Sequence, residues 1–217
     1  MRRIALIAWM ACLLLCTACA DKNVSLSGAA ETTLGVNADG TVEEVTVEPF
    51  EADYYSKTEL MAYIQAVVDA FNETHPQPVP ETSAKGDGEA EAPDAITVVE
   101  VSTSGKTASM ILRYQSVDLY NEFNQCDLKA MPIEDAVSSG IFTKTDSLMS
   151  ASGKGPAAVD DLLSKTGFYV IVTQESHRVV TSGKLAYYTE NVTGIDDHTA
   201  ETAADGTSVI LFKYNHK

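Results

Sequence analysis

Apolar residues recur along this chain at two periods. Between Leu60 and Phe71 they fall at Leu60, Ile64, Val67 and Phe71, with Met61 and Val68 beside them, a spacing that lines one face of a helix. Ser56-Lys57-Thr58-Glu59 precedes the run and has the form of a capping box, in which serine and glutamate side chains satisfy free amides of the first turn. Pro76 has no amide to continue the pattern, so one long amphipathic helix is predicted from Ser56 to about His75. Three shorter helices are predicted. One follows Ser116 and carries Val117, Tyr120 and Phe123; one runs from Pro132 to Gly140; one runs from Pro156 to Lys165 with Val159, Leu162 and Leu163 inward and Gly167 as its stop.

Elsewhere the period is two. "TTLGVNADGTVEEVTVEPF" reads as two strands about the turn Asp39-Gly40, the second setting Val42, Val45 and Val47 among Glu43, Glu44 and Glu48. A hairpin is predicted with arms 95–102 and 107–115 about Ser104-Gly105, and with Ala108, Met110, Leu112 and Tyr114 on one face. Further strands fall at 168–173, 177–181, 184–189, near 198–203, and at 208–214 after the turn Asp205-Gly206. "FYVIVT" and "SVILFKY" are apolar at consecutive positions, as inner strands covered on both faces are. Helices interleave with hairpins rather than alternating with single strands. The predicted fold is therefore α+β: a single domain, mainly antiparallel sheet, with the long helix and several short ones. Residues 76–94 hold four prolines and a Gly/Asp/Glu mixture, and read as a long exposed acidic loop.

The first residues read differently. Arg2 and Arg3 are followed by an uncharged apolar run from Ile4 to Leu15 and then by small residues, the order of a secretory signal. That run is well short of the roughly 20 residues a membrane-spanning helix needs. Thr17 and Ala18 before Cys19 match the small residues that precede the acylated cysteine of a bacterial lipoprotein, although Cys16 stands where leucine is usual. Ordinary cleavage after Ala20 is the alternative, since Ala18-Cys19-Ala20 also fits a signal-peptidase site. The expected organisation is a signal at 1–18, lipidated Cys19 with a flexible tether to residue 32, and an extracytoplasmic domain at 33–217. A thiolate is the nucleophile that accepts the diacylglyceryl group, and two acyl chains anchor stably where one does not.

Charge narrows the partners. Cleavage before Cys19 removes 18 residues, two arginines among them and no acid, so the remaining 199 residues carry a formal charge of −18 in place of −16. Such a surface disfavours nucleic acid and adsorption to anionic lipid, leaving the lipid anchor as the route to the membrane. Cys126 becomes the last thiol, with no partner for an internal disulfide, and is expected to be a small, partly buried residue after a helix.

In "NADGTVEEVTVEPFEADYYSKTEL", "SVDLYNEFN" and the ending "GKLAYYTENVTGI…SVILFKY", and over most of residues 33–217, the chain resembles a group of uncharacterised surface lipoproteins of Gram-positive anaerobic bacteria. The resemblance rests on these structural segments. It implies surface anchoring and carries over no active-site residue.

Catalytic and metal motifs are weak. "SGKT" at 104–107 lacks the earlier glycine of a phosphate loop and joins two predicted strands. "KTG" at 165–167 has no accompanying Ser-x-x-Lys. His75, His177, His198 and His216 are scattered, and Asp196-Asp197-His198 reads as a solvated turn. Tyr54-Tyr55 and Tyr187-Tyr188 are each expected to divide between core and surface. No catalytic, cofactor-binding or metal residue is assigned, and Cys19 is the one candidate site residue. The expectation is a lipid-anchored protein of the extracytoplasmic face of the cell membrane, acting as a binding module for an envelope protein or glycan. An extracytoplasmic hydrolase or an envelope-assembly factor are the alternatives.

Overall fold

The computed structural model describes residues 23–52, 56–79, 92–165 and 167–214. Strands β1 (Thr33–Val36) and β2 (Val42–Pro49) are antiparallel about the turn at Asn37–Gly40, where Gly40 takes the positive φ of 86° that the turn requires. Helix α1 (Lys57–Thr74) comes next, its first turn capped by Ser56, whose Oγ accepts the Glu59 amide at 3.3 Å. Strands β3 (Ile96–Ser104) and β4 (Thr107–Tyr114) form the expected hairpin, and Ser116 caps α2 (Val117–Asn124). Then come β5 (Lys129–Pro132), α3 (Ile133–Ser138), β6 (Ser147–Ser150), β7 (Ala157–Ala158) and α4 (Val159–Leu163). The chain ends with β8 (Phe168–Thr173), β9 (Arg178–Thr181), β10 (Leu185–Tyr188), β11 (Thr193–Gly194), β12 (Thr199–Glu201) and β13 (Ser208–Lys213).

These strands make two sheets, mostly antiparallel. The first runs β11-β12-β9-β1-β2-β4-β3 and the second β5-β8-β13-β10-β6-β7. The pair β1–β9 is parallel, Leu34 lying beside Val179 and Val36 beside Thr181. The short β5, β6, β7 and β11 have no counterpart among the strands expected from the sequence, because two to four residues are too few to show a period.

The consecutive apolar residues of β8 and β13 explain the layering. Tyr169, Ile171, Ile210 and Phe212 point into one core with Leu34 and Leu112 of the first sheet, joined by Ile64 and Val68 of α1 and Tyr120 of α2. Phe168, Val170, Val172, Val209 and Leu211 point the other way, against Ile133 and Ala136 of α3 and Val159 and Leu162 of α4. Each such side chain, fully buried, contributes about 1.5–3 kcal/mol.

Two expectations change. In α1 the buried line is Ile64 and Val68, while Val67 is 38% exposed and Met61 46%. The i, i+4 row continues to Asn72, whose side chain both donates to the Ile96 carbonyl and accepts the Ile96 amide, each at 2.9 Å. That bidentate bond ties the 64–68–72 row to the start of β3, with Leu60 and Phe71 packed against the same core as expected and Val67 on the exposed side.

Residues 23–32, expected to be tether, are instead folded as a strap. Val24 and Leu26 are buried with Val45 and Ile111 on the outer face of the first sheet. The Val24 amide donates to Asn37 Oδ1 at 2.7 Å and the Leu26 amide to Glu43 Oε1 at 2.6 Å. Glu43, one of the polar positions that alternate along β2, is only 1% exposed; its Oε2 receives Arg113 Nη2 at 2.7 Å and Nε at 3.1 Å. Gly35 lets the strap lie close, since a Cβ there would stand 2.6 Å from Val24 Cγ1.

Glu43→Ala leaves the Leu26 amide unbonded and opens a void under the strap. Because Arg113 is half exposed and regains water, the expected loss is about 2–3 kcal/mol rather than the larger cost of a wholly buried pair. Urea unfolding would measure it. Hydrogen exchange at Val24 and Leu26 should accelerate more than at Ile171.

Candidate functional site

Adjacent residues of a strand face opposite ways, so Glu43 and Glu44 cannot both face solvent when a sheet is covered on both sides. Glu44 points into the layer between the sheets, with Leu34 and Leu112 as its neighbours on the flanking strands. Two tyrosine hydroxyls reach it: Tyr114 donates to Oε2 and Tyr120 to Oε1, each at 3.4 Å. The rings of Tyr114 and Tyr120 meet edge to face at 5.1 Å, and Asn124 Nδ2 donates to the Tyr114 oxygen at 3.2 Å.

The end of α2 and the segment after β8 form a cleft nearby. Gln125 adopts the left-handed conformation, φ 57°, and turns the chain out of α2. Asn121 then holds the exit from the helix: its Oδ1 accepts the Leu128 amide at 2.9 Å and the Cys126 thiol at 3.3 Å, while its Nδ2 donates to the Leu128 carbonyl at 2.7 Å. Across from it, Thr202 Oγ1 donates to the Glu175 carbonyl at 2.7 Å and accepts the His177 amide at 2.8 Å. His177 Nε2 lies 2.9 Å from Glu175 Oε2. The cleft is about 310 Å³ and is lined by Gln125, Cys126, Asp127, Thr173, Gln174 and Glu175.

Burial raises the Glu44 pKa above the ordinary carboxylate value; nearby His177 and the two hydroxyl donors oppose the rise, and Glu175 adds to it. Tyr114 and Tyr120 are both pushed up by burial and then by the Glu44 charge. Burial also pushes up the Cys126 thiol, and Glu175 and Glu44 reinforce the shift. Cys126 is thus a partly buried residue after a helix, with a thiol disfavoured as a nucleophile. The cleft offers hydroxyl, amide and carboxylate groups for hydrogen bonding.

The other sequence candidates do not join this group. Asp196 Oδ1 accepts the His198 and Thr199 amides at 2.7 and 2.8 Å, and the His198 amide is the main reason its pKa is lowered. Asp197 pairs with Lys184 at 2.7 Å, and His198 Nδ1 lies 3.2 Å from the Thr181 carbonyl. The triplet is a hydrogen-bonded turn, and among the described residues no cluster of three or more His, Cys, Asp or Glu could hold a metal ion. "SGKT" is the β3–β4 turn, with Gly105 at φ 58°. Tyr187 and Tyr188 do face opposite ways, Tyr187 toward the α3–α4 core and Tyr188 toward the inter-sheet core, yet both are half-buried. Cys19, Tyr54-Tyr55 and His216 lie outside the described residues. A second cleft of about 470 Å³, at the start of α1, is lined by Phe50, Leu60, Tyr63 and Ala108 together with Glu48 and Glu59.

Compared with protein-family models, curated proteins and solved structures, the chain matches none of them.

Two outcomes test the electrostatics. The folded pKa of Glu44 lies above its unfolded one, so the folded state holds the proton more tightly. Stability from this group is then greatest in acid and falls as pH rises from the ordinary carboxylate value through the folded one. Glu44→Gln should raise the Tm relative to wild type at neutral pH, by a margin that narrows as pH falls, measured by thermal unfolding across about pH 4 to 8. Cys126 should react with iodoacetamide at neutral pH at least about tenfold more slowly in the folded protein than in urea, as a mass-shift time course would record.

Proposed function

We propose that this chain is a lipid-anchored protein of the extracytoplasmic face of the cell membrane, and that its α+β body is a non-catalytic binding module for an envelope protein or glycan. The observation that carries the anchor is the order of the first residues: Arg2-Arg3, the apolar run to Leu15, then Thr17-Ala18-Cys19. The resemblance to surface lipoproteins of Gram-positive anaerobes points the same way. Among the described residues no helix is long and apolar enough to cross a membrane.

The binding reading draws on the polar cleft. Gln125, Asp127, Thr173, Gln174 and Glu175 supply donors and acceptors on a rigid frame, a lining suited to the hydroxyls of a glycan or the amides of a peptide. The raised pKa of Cys126 argues against its use as a thiolate nucleophile. The role of α1 belongs to the same proposal: Tyr63 and Val67, one helical turn apart and both exposed, offer a small apolar contact for a protein partner.

Expression of the full chain in a Gram-positive host tests the anchor. The wild type should sediment with membranes and carry the diacylglyceryl mass on Cys19; Cys19→Ser should be released. A membrane-free wild type whose N-terminus begins at Asp21 would overturn the anchor in favour of ordinary cleavage. For binding, a soluble form starting at Ala20 is crosslinked to envelope preparations, with a charge-matched acidic protein as control. Gln174→Ala with Glu175→Gln should reduce specific capture about tenfold or more.

A further inference from the structure

The strap decides where an anchor would enter the fold. Val24 is fixed by its amide bond to Asn37 and by burial against the sheet, and Asn23 Nδ2 reaches Asp39 Oδ2 at 3.4 Å. The chain therefore joins the body beside the β1–β2 turn. Five residue steps separate Cys19 from Val24, a reach of at most about 17 Å. A body of this length has a radius of gyration of about 16 Å and is far wider than that leash.

We infer that the anchor is a short leash that sets the stance of the protein: the β1–β2 turn is held at the bilayer, and the β3–β4 turn and the polar cleft are carried outward. The inference rests on the lipidation of Cys19 proposed above. Its geometry comes from the strands. β2 leads away from the turn, and its last residue, Pro49, pairs with Thr107 at the β3–β4 turn, about 23 Å from Val42 at strand rise. β8 gives the same direction. Tyr169 near its start lies beside Gly40, its hydroxyl 3.9 Å from where a Cβ would stand, whereas Thr173 at its end lines the cleft. Ser182 belongs to the near end, since its amide donates to the Val36 carbonyl and its Oγ accepts the Ala38 amide. The formal charge of −18 on the mature chain gives an anionic surface no electrostatic hold on the body, so the leash supplies the proximity.

Two exposed lysines report the stance. Lys184 is two residues beyond Ser182 at the near end, and Lys106 sits in the β3–β4 turn at the far end. Each is replaced in turn by an azide-bearing residue and labelled with a donor dye. The full chain is purified from its membranes and reconstituted in phosphatidylcholine vesicles with a headgroup acceptor. Energy transfer should be at least about twofold higher from position 184 than from position 106, and a Gly/Ser insert of about 20 residues between Lys22 and Asn23 should lower the former and narrow the difference. Equal transfer from the two positions, or no effect of the insert, would overturn the inference. N-terminal mass analysis of the same samples separates the two readings. If Cys19 carries no lipid, the anchoring proposal fails. The stance is then tested on a Cys126→Ala chain beginning at Cys19, coupled through that thiol to a maleimide phospholipid, with the same two outcomes deciding it.

Discussion

Beta strands that are apolar on both faces must be covered on both faces, and β8 and β13 impose that condition on the whole molecule. One side of the pair is met by the first sheet with α1 and α2, the other by α3 and α4. The shorter strands are arranged around this pair. β5, β6, β7 and β10 extend the second sheet with segments of two to four residues, so its edges are short. The first sheet is longer, and its outer face would remain open without the strap of residues 23–32.

That strap gives the two glutamates of β2 opposite environments. Glu43, on the outer face, meets a guanidinium and a backbone amide, so its charge is compensated where it is buried. Glu44, one residue on, faces the inter-sheet layer, where two hydroxyls and the more distant His177 answer it. A charge met by weaker partners in a low-dielectric layer tends toward its neutral form. Glu43 therefore contributes to cohesion, while Glu44 keeps a half-buried, titratable group beside the inter-sheet core near the cleft. The strap and Glu44 are linked through the same strand: β2 begins beside the turn where the strap is pinned and runs toward the β3–β4 turn.

Much of the architecture is legible in the sequence because it rests on local rules. Ser56 and Ser116 stand where caps are expected, and both accept an amide three residues on. Asp39-Gly40 and Ser104-Gly105 stand where turns are expected, and both glycines take positive φ. The apolar runs of β8 and β13 mark inner strands from composition alone. The sequence misleads where a distant segment chooses the outcome. Val67 fits the helical period as well as Val68 does, but Asn72 binding Ile96 selects the row. Residues 23–32 are small and polar with two lone apolar residues, and nothing local predicts that Val24 and Leu26 have a sheet to lie on.

The sequence by itself determined the acidic charge balance, the mixed α+β content and the principal strands and turns, because each depends on residue chemistry within a few positions. Only the tertiary structure decided that there are two sheets, that Glu43 is drawn inside and Glu44 half-buried, that Cys126 and Glu175 line one cleft, and that Asn23 and Val24 sit next to the β1–β2 turn. Those facts depend on which surfaces meet across dozens of residues. Burial and charge compensation are properties of that meeting and carry no local mark along the chain.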